Sequence, residues 1–179
     1  MSRKRRALVL DTSAFIAGFD PSTVNEETYT VPEVGLELID ESTPKLRFTT
    51  SVEGGRLTVI NPLPKYIDLV KSISEKTGDS SALSETDILV LALAVQLEDS
   101  GYEAVVVTDD YSIQNTAEKI GLKYTPLANF GIRYQFRWII RCPACGRIKP
   151  PDQKEMICRY CGTQLERRPK KGGPAKRRA

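Results

Sequence analysis

Short apolar runs that end in aspartate set the pattern of this chain. Ala7 to Leu10 is continuously apolar, meets Asp11, then two hydroxyl residues, Thr12 and Ser13, and then a second apolar stretch, Ala14 to Ile16. Such a run reads as a buried strand of a parallel sheet, and the carboxyl end of such a strand is where open α/β sheets bind ligands. Ala104 to Thr108 repeats the device, a β-branched run that leads into Asp109 and Asp110. Side by side, the two strands would place Asp11 and the Asp109/Asp110 pair in one crevice.

The remaining pattern supplies the elements between them. Ser13 to Phe19 reads as a short helix, residues 21–28 as a polar connection and Thr28 to Val31 as an extended piece. Pro32 suits the first position of a helix running to about Ile39, on which Glu33 and Glu37 share a face. Glu33 has an ordinary account as a partner of the helix dipole, whereas Glu37, a turn further in, does not. Leu46 to Ile60 reads either as a hairpin around Glu53-Gly-Gly55 or as a segment whose first half is helical. Tyr66, Ile67, Leu69, Val70 and Ile73 recur at helical spacing over Lys65 to Thr77, with Gly78 at the helix end and a polar loop from Asp79 to Leu83. Ser84 and Asp87 have the spacing of a capping box for the most apolar helix, Ile88 to Leu97, which Gly101 follows. A helix over Tyr111 to Ile120, closed by Gly121, and a last strand over Leu122 to Thr125 complete the series. This order implies an α/β fold, a parallel sheet flanked by helices and joined by right-handed crossovers.

Composition narrows the class. The chain has 179 residues, 40% of them hydrophobic, enough for one substantial core and a small second module. No apolar run approaches the length of a membrane span. The basic residues 3–6 precede an apolar run of only four residues, too short for a signal peptide, so residues 1–6 read as a basic arm on a cytoplasmic protein. The net charge of +3 is strongly segregated: residues 7–131 carry 8 basic and 20 acidic side chains, residues 132–165 carry 7 and 2, and residues 166–179 carry 7 and 1. An acidic body repels nucleic acid, so affinity for it is expected from the arm, the C-terminal module and the tail.

Asp11, Glu37, Asp87 and Asp109/Asp110 thus form an acidic constellation at element ends and on a helix face. Carboxylates gathered closely cannot all ionise without a cation, and a hard divalent ion such as Mg²⁺ or Mn²⁺ takes oxygen ligands. Such a site suits phosphodiester hydrolysis. The chain has no histidine, which excludes histidine acid/base catalysis and any Ser-His-Asp triad.

All four cysteines lie in the C-terminal segment, as Cys142-Pro-Ala-Cys145-Gly and Cys158-Arg-Tyr-Cys161-Gly, with 12 residues between the pairs. Two such pairs supply four thiolates for one structural, tetrahedral Zn²⁺ with no open position for catalysis; disulfides are the alternative, disfavoured in a cytosolic chain. Arg133, Arg137, Trp138, Arg141, Arg147, Lys149, Arg159 and Tyr160 interleave basic and aromatic side chains around these cysteines, and Lys170 and Lys171 follow in the tail. That mixture suits single-stranded RNA, although a core role for Trp138 is equally open. The expected organisation is a basic arm over 1–6, a nuclease domain over 7–130, a linker or strand over 131–139, a zinc ribbon over 140–165 and a disordered basic tail over 166–179.

Asp11-Thr-Ser, the helix bearing Glu37-Leu-Ile, Ser-x-Thr-Asp87 and Thr108-Asp-Asp110 resemble the four acidic motifs of PIN-domain nucleases, over about residues 7–130. The resemblance implies a metal-dependent endoribonuclease that leaves a 3′-hydroxyl, with Asp11, Glu37, Asp87 and Asp110 as its catalytic acids and ligands of Mg²⁺ or Mn²⁺. It leaves Glu33 as a competitor of Glu37, and Asp109 as a neighbour of uncertain part. A PIN domain followed by a zinc ribbon and a basic tail is similar to the archaeal form of the Nin-one-binding-protein family. That likeness implies action near the 3′ end of precursor small-subunit rRNA, with the pre-small ribosomal subunit as partner. A PIN-type toxin RNase of other specificity and a non-catalytic RNA-binding assembly factor are the alternatives, with a receiver-like phosphoacceptor domain further off.

Overall fold

The computed structural model describes residues 4–77, 83–130, 134–149 and 156–174. The chain divides into two compact units, residues 1–132 and 133–179.

In the first unit a five-stranded, wholly parallel sheet contains β1 (Arg6–Leu10), β2 (Glu27–Thr30), β3 (Thr58–Val59), β4 (Glu103–Val107) and β5 (Lys123–Thr125), in the order β3-β2-β1-β4-β5. The apolar runs are central strands because both their faces are covered: Ala7 to Leu10 and Ala104 to Val107 are all buried. β1 and β4 are neighbours in register, Leu10 opposite Val107. The chain moves outward in one direction from β1 and in the other from β4, so the gap beyond their carboxyl ends is the topological switch point.

Helices α1 (Thr12–Ala17), α2 (Pro32–Glu37) and α3 (Thr43–Glu53) contact one another. Helix α5 (Glu85–Asp99) lies against β1 and β4 and contacts α4 (Pro64–Thr77) and α6 (Tyr111–Ile120). No helix among the described residues is long and apolar enough to cross a membrane.

The ambiguous stretch over Leu46 to Ile60 is helical in its first half. The Ser42 side chain accepts the Lys45 N–H, Pro44 occupies the first turn, and Gly54 ends the helix. This capping outweighs the β-branched residues, and only Thr58–Val59 pairs as a strand. The expected loop over Asp79 to Leu83, except Leu83 itself, and Gly78 lie outside the described residues.

The amino-terminal arm differs from a free basic appendage. Arg6 already belongs to β1, and the Arg5 carbonyl accepts the Glu103 N–H. Lys4, Arg5 and Arg6 are ion-paired with Glu98, Glu27 and Glu26, acids of the body itself.

The second unit is a three-stranded antiparallel sheet of β6 (Tyr134–Arg141), β7 (Ile148–Lys149) and β8 (Glu166–Pro174), in the order β7-β6-β8. The tail expected to be disordered is thus a strand as far as Pro174. Its charged sequence carries no apolar period, but β6 offers a complete backbone edge, and the ladder runs from Arg141–Glu166 to Tyr134–Pro174. Of the linker or strand expected over 131–139, the described part, from Tyr134, is strand and belongs to β6, the central strand of this sheet.

Candidate active site and zinc centre

The first unit presents its acids at the switch point. Asp11 follows β1 directly, is 5% exposed, and caps α1 by accepting the Thr12 N–H at 2.6 Å. Its other carboxylate oxygen accepts the Ser13 hydroxyl at 2.8 Å and the Thr108 hydroxyl, from the end of β4, at 2.9 Å. Burial pushes the Asp11 carboxyl up; these three hydrogen bonds oppose the shift, and the Asp110 charge adds to it.

Thr108 joins two acids. Its fully buried Oγ1 donates to Asp11 and accepts the Asp110 N–H at 3.0 Å, while its own N–H and C=O are held by Thr125 O and Gln114 Nε2. Asp110 caps α6 through the Ser112 N–H. Asp87 forms the expected capping box with Ser84 at the start of α5, yet its carboxyl is pushed up to about 7, first by burial and then by the charge of Asp11, with Asp110 contributing. Capping therefore accounts for one of its oxygens, while its raised affinity for a proton reflects burial first and the charges of Asp11 and Asp110 after it.

Glu37 reaches this group through a hydroxyl: Thr12 Oγ1 donates to Glu37 Oε2 at 2.6 Å. The position of α2 depends on Gly35, where a Cβ would stand 2.8 Å from the Phe48 ring, and Phe48 in turn packs edge-on against Phe15 of α1 at 5.3 Å. Glu33, on the same helix, has a buried Oε2 with no hydrogen-bond partner. Asp109 is engaged elsewhere: its Oδ1 accepts the Leu127 N–H at 2.9 Å, and its own N–H meets Ser13 Oγ at 3.5 Å.

The structure thus brings Asp11, Asp87 and Asp110 within electrostatic reach and ties Glu37 to them through Thr12. Among the described residues these acids are not drawn together as tightly as a metal-holding cluster, and none of them is ion-paired. A divalent cation fits the chemistry of this donor set, oxygen-rich and short of positive charge. The parts of Thr12, Ser13 and Thr108 are not evident from the sequence, where their only signal is a hydroxyl beside each acid at a strand end.

In the second unit Cys142, Cys145, Cys158 and Cys161 place their four sulfurs within 4.8 Å of one another. The two knuckles repeat one pattern: Cys142 N–H bonds Arg147 O and Gly146 N–H bonds Cys142 O, as Cys158 does with Thr163 and Gly162 with Cys158. Gly146 and Gly162 adopt φ of 70° and 71°, which a side chain would strain. The Cys142–Cys161 and Cys145–Cys158 separations, 3.4 and 3.6 Å, exceed the about 2.05 Å of a disulfide. They approach the about 3.8 Å between sulfurs that surround a tetrahedral zinc at about 2.3 Å. Ile140 and Leu165 join Cys142 and Cys158 in the buried core of this unit.

Residues 8–97 match the family model described as the PIN domain of ribonuclease, a span that includes Asp11, Glu37 and Asp87. The chain is 38% identical over 170 residues to the endoribonuclease Nob1 of Methanocaldococcus jannaschii, covering 95% of this chain and 81% of that one. It is likewise 38% identical over 156 residues to the endoribonuclease Nob1 of Archaeoglobus fulgidus, covering 87% of each. The chain belongs to the Nob1 family of PIN-domain endoribonucleases. The ribonuclease VapC1 of Thermoplasma acidophilum is 39% identical over 123 residues, but covers 69% of this chain and is itself covered to 60%. The Nob1 matches are longer than the first unit and so extend into the second.

For this Nob1-family chain, the expected RNA contacts are only partly described. Arg133 lies outside the described residues, and of Arg137, Trp138, Lys170 and Lys171 only the backbone is described, Arg137 opposite Lys170 in the β6–β8 ladder. Tyr160 is exposed and carries the Arg147 guanidinium 3.9 Å and the Lys149 ammonium 4.9 Å from its ring centre. Arg141 and Arg159 are exposed on the same unit.

Proposed function

We propose that this endoribonuclease hydrolyses precursor small-subunit rRNA near its 3′ end, leaving a 3′-hydroxyl, with Asp11, Glu37, Asp87 and Asp110 holding Mg²⁺ or Mn²⁺. The observation that carries the reading is the gathering of acids at the switch point, Asp11 and Asp110 on one hydroxyl of Thr108, Glu37 on Thr12 and Asp87 within reach of their charge, with no described side-chain cation paired to them. Bound there, a divalent ion would supply an activated water and charge stabilisation of the leaving oxygen.

The chain's own residues set the conditions. Ser13, Thr12 and Thr108 fix both oxygens of Asp11, so its orientation costs little reorganisation when a ligand arrives. Thr12 holds Glu37 and Thr108 holds the Asp110 backbone, which ties three acids to one hydroxyl framework. The cysteine unit holds one structural Zn²⁺ and, with its basic side chains, supplies contacts to RNA. The pre-small ribosomal subunit would be the partner, and the cytoplasm the place of action. The ribonuclease-toxin reading is less favoured because the VapC1 match covers less of the chain.

The test is to incubate zinc-loaded protein with an RNA spanning the small-subunit 3′ junction and with unrelated RNAs, in Mn²⁺, in Mg²⁺ and in EDTA, and to map the ends. Cleavage at the junction that needs added metal and leaves a 3′-hydroxyl is expected. Undiminished cleavage in EDTA overturns the metal assignment, and equal cleavage of unrelated RNAs overturns the substrate.

A further inference from the structure

Among the described residues no side-chain cation is ion-paired to the candidate acids, so RNA beside them would gain from a contact that carries no charge. Helix α3 carries two basic residues, and both are engaged by backbone carbonyls: Lys45 Nζ donates to Gly35 O at 2.6 Å and Arg47 Nη1 to Phe15 O at 2.9 Å. Nearby acids also oppose the approach of phosphates.

Leu36 and Tyr111 are the two most exposed large apolar side chains among the described residues, at 80% and 79%. Each is the chain neighbour of a candidate acid: Leu36 precedes Glu37, and Tyr111 follows Asp110. A single exposed apolar residue is ordinary on a protein surface. Two at the extreme of exposure, each next to an acid of one site, form a pattern. Tyr111 is the first residue of α6, whose capping by Asp110 fixes where the tyrosine begins, while Ile113, Thr116 and Ala117 turn into the core. Most described tyrosines of the first unit are engaged: Tyr29 and Tyr102 pack on each other, and Tyr66 bonds Asp99 and meets Lys65. Among the described residues the Tyr111 side chain has neither a ring contact nor a hydrogen bond.

We propose that Tyr111 is a stacking platform for an unpaired nucleobase next to the scissile phosphodiester, a recognition element built onto the candidate active site. This inference rests on the nuclease reading. A π-face accepts any base, so Tyr111 contributes affinity and register to single-stranded RNA without reading its sequence. The ring carries no charge, so this contact keeps its strength as salt rises, unlike the phosphate contacts of the second unit.

The test uses full-length, zinc-loaded wild type, Tyr111→Phe and Tyr111→Ala in single-turnover cleavage with Mn²⁺. The substrates are a cleavable RNA and a series in which one base at a time around the scissile bond is replaced by an abasic site. Stacking of about 1–3 kcal/mol corresponds to a half-saturating concentration raised about 5- to 150-fold in Tyr111→Ala. The rate at saturation should stay within a few-fold of wild type, and Tyr111→Phe should behave as wild type. One abasic position should erase the difference between wild type and Tyr111→Ala, a readout that a merely structural role would not move. An unchanged half-saturation in Tyr111→Ala, or a penalty that persists on every abasic substrate, overturns the inference. A wild type that cleaves nothing in Mn²⁺ overturns the nuclease reading instead.

Discussion

Residue by residue, the site is a set of acids held by hydroxyls. Asp11 was legible because its apolar run ending in aspartate is repeated before Asp109 and Asp110; taken singly it reads as a helix cap, a part that Asp11 also plays at α1. The part of Thr108 was not legible, since its partner lies 97 positions away and only strand register brings them together. Asp87 offers a test through pH. Its folded carboxyl is raised to about 7, so the folded chain binds a proton that the unfolded chain has lost. The resulting stabilisation is complete below the unfolded value of 3.8 and disappears as pH rises through about 7; Asp11 shifts in the same direction. In buffer without divalent ions the melting temperature is expected to fall across that window. Asp87→Asn, whose amide oxygen keeps the cap, should flatten the fall; an equally steep profile in the variant would remove Asp87 as its source. Asp109 is a second case. Burial raises its carboxyl as well, and its oxygen latches the Leu127 N–H. Asp109→Asn preserves an acceptor and should keep both stability and cleavage, whereas Asp109→Ala leaves that amide unpaired and should cost about 1–3 kcal/mol in denaturant melts. Loss of cleavage in a stable Asp109→Asn would make it a charged participant.

At the scale of elements, the helices that position the acids were readable where caps and period agree. The capping box of α5 and the span of α6 stand where the pattern put them. The stretch from Leu46 stayed ambiguous because the β-branched residues and Gly54-Gly55 argue for a hairpin, while Ser42 and Pro44, just outside the window, decide for a helix. β8 was hidden because its strand is made by the backbone edge of β6, not by an apolar period. The contact of α2 with α3 carries a prediction. Gly35→Ala puts a methyl against the Phe48 ring, and overpacking of this kind costs about 1–3 kcal/mol. Because α2 bears Glu37, the variant should lose cleavage beyond its loss of stability, and Phe48→Leu in the same chain should restore part of both. If Gly35→Ala melts and cleaves as wild type, α2 is not held by this contact.

For the whole molecule, the segregation of charge was plain in the sequence, but the availability of each basic segment was not. The arm is paired with Glu26, Glu27 and Glu98, and exposed pairs of this kind contribute only about 0–1 kcal/mol, yet they offset the arm's positive field. Residues 166–174 form a strand, so deleting the tail would remove a structural element together with its cations. Substitution is the cleaner probe. Neutralising Lys170 and Lys171 to Gln should lower the slope of log affinity against log salt by about 1.4 if both touch single-stranded phosphates, and neutralising Lys4 and Arg5 should lower it less. An equal loss from the arm would show that its pairs open on binding. The account as a whole depends on the acids of the first unit sharing a cation, and calorimetric titration of Mn²⁺ into zinc-loaded wild type and Asp11→Asn tests this most directly. Saturable binding is expected in wild type and at least a tenfold weakening in the variant, whose metal-free melting temperature should equal or exceed that of wild type because one of the repelling charges is gone. Equal Mn²⁺ affinity in the two proteins, or no saturable binding in wild type, would contradict it.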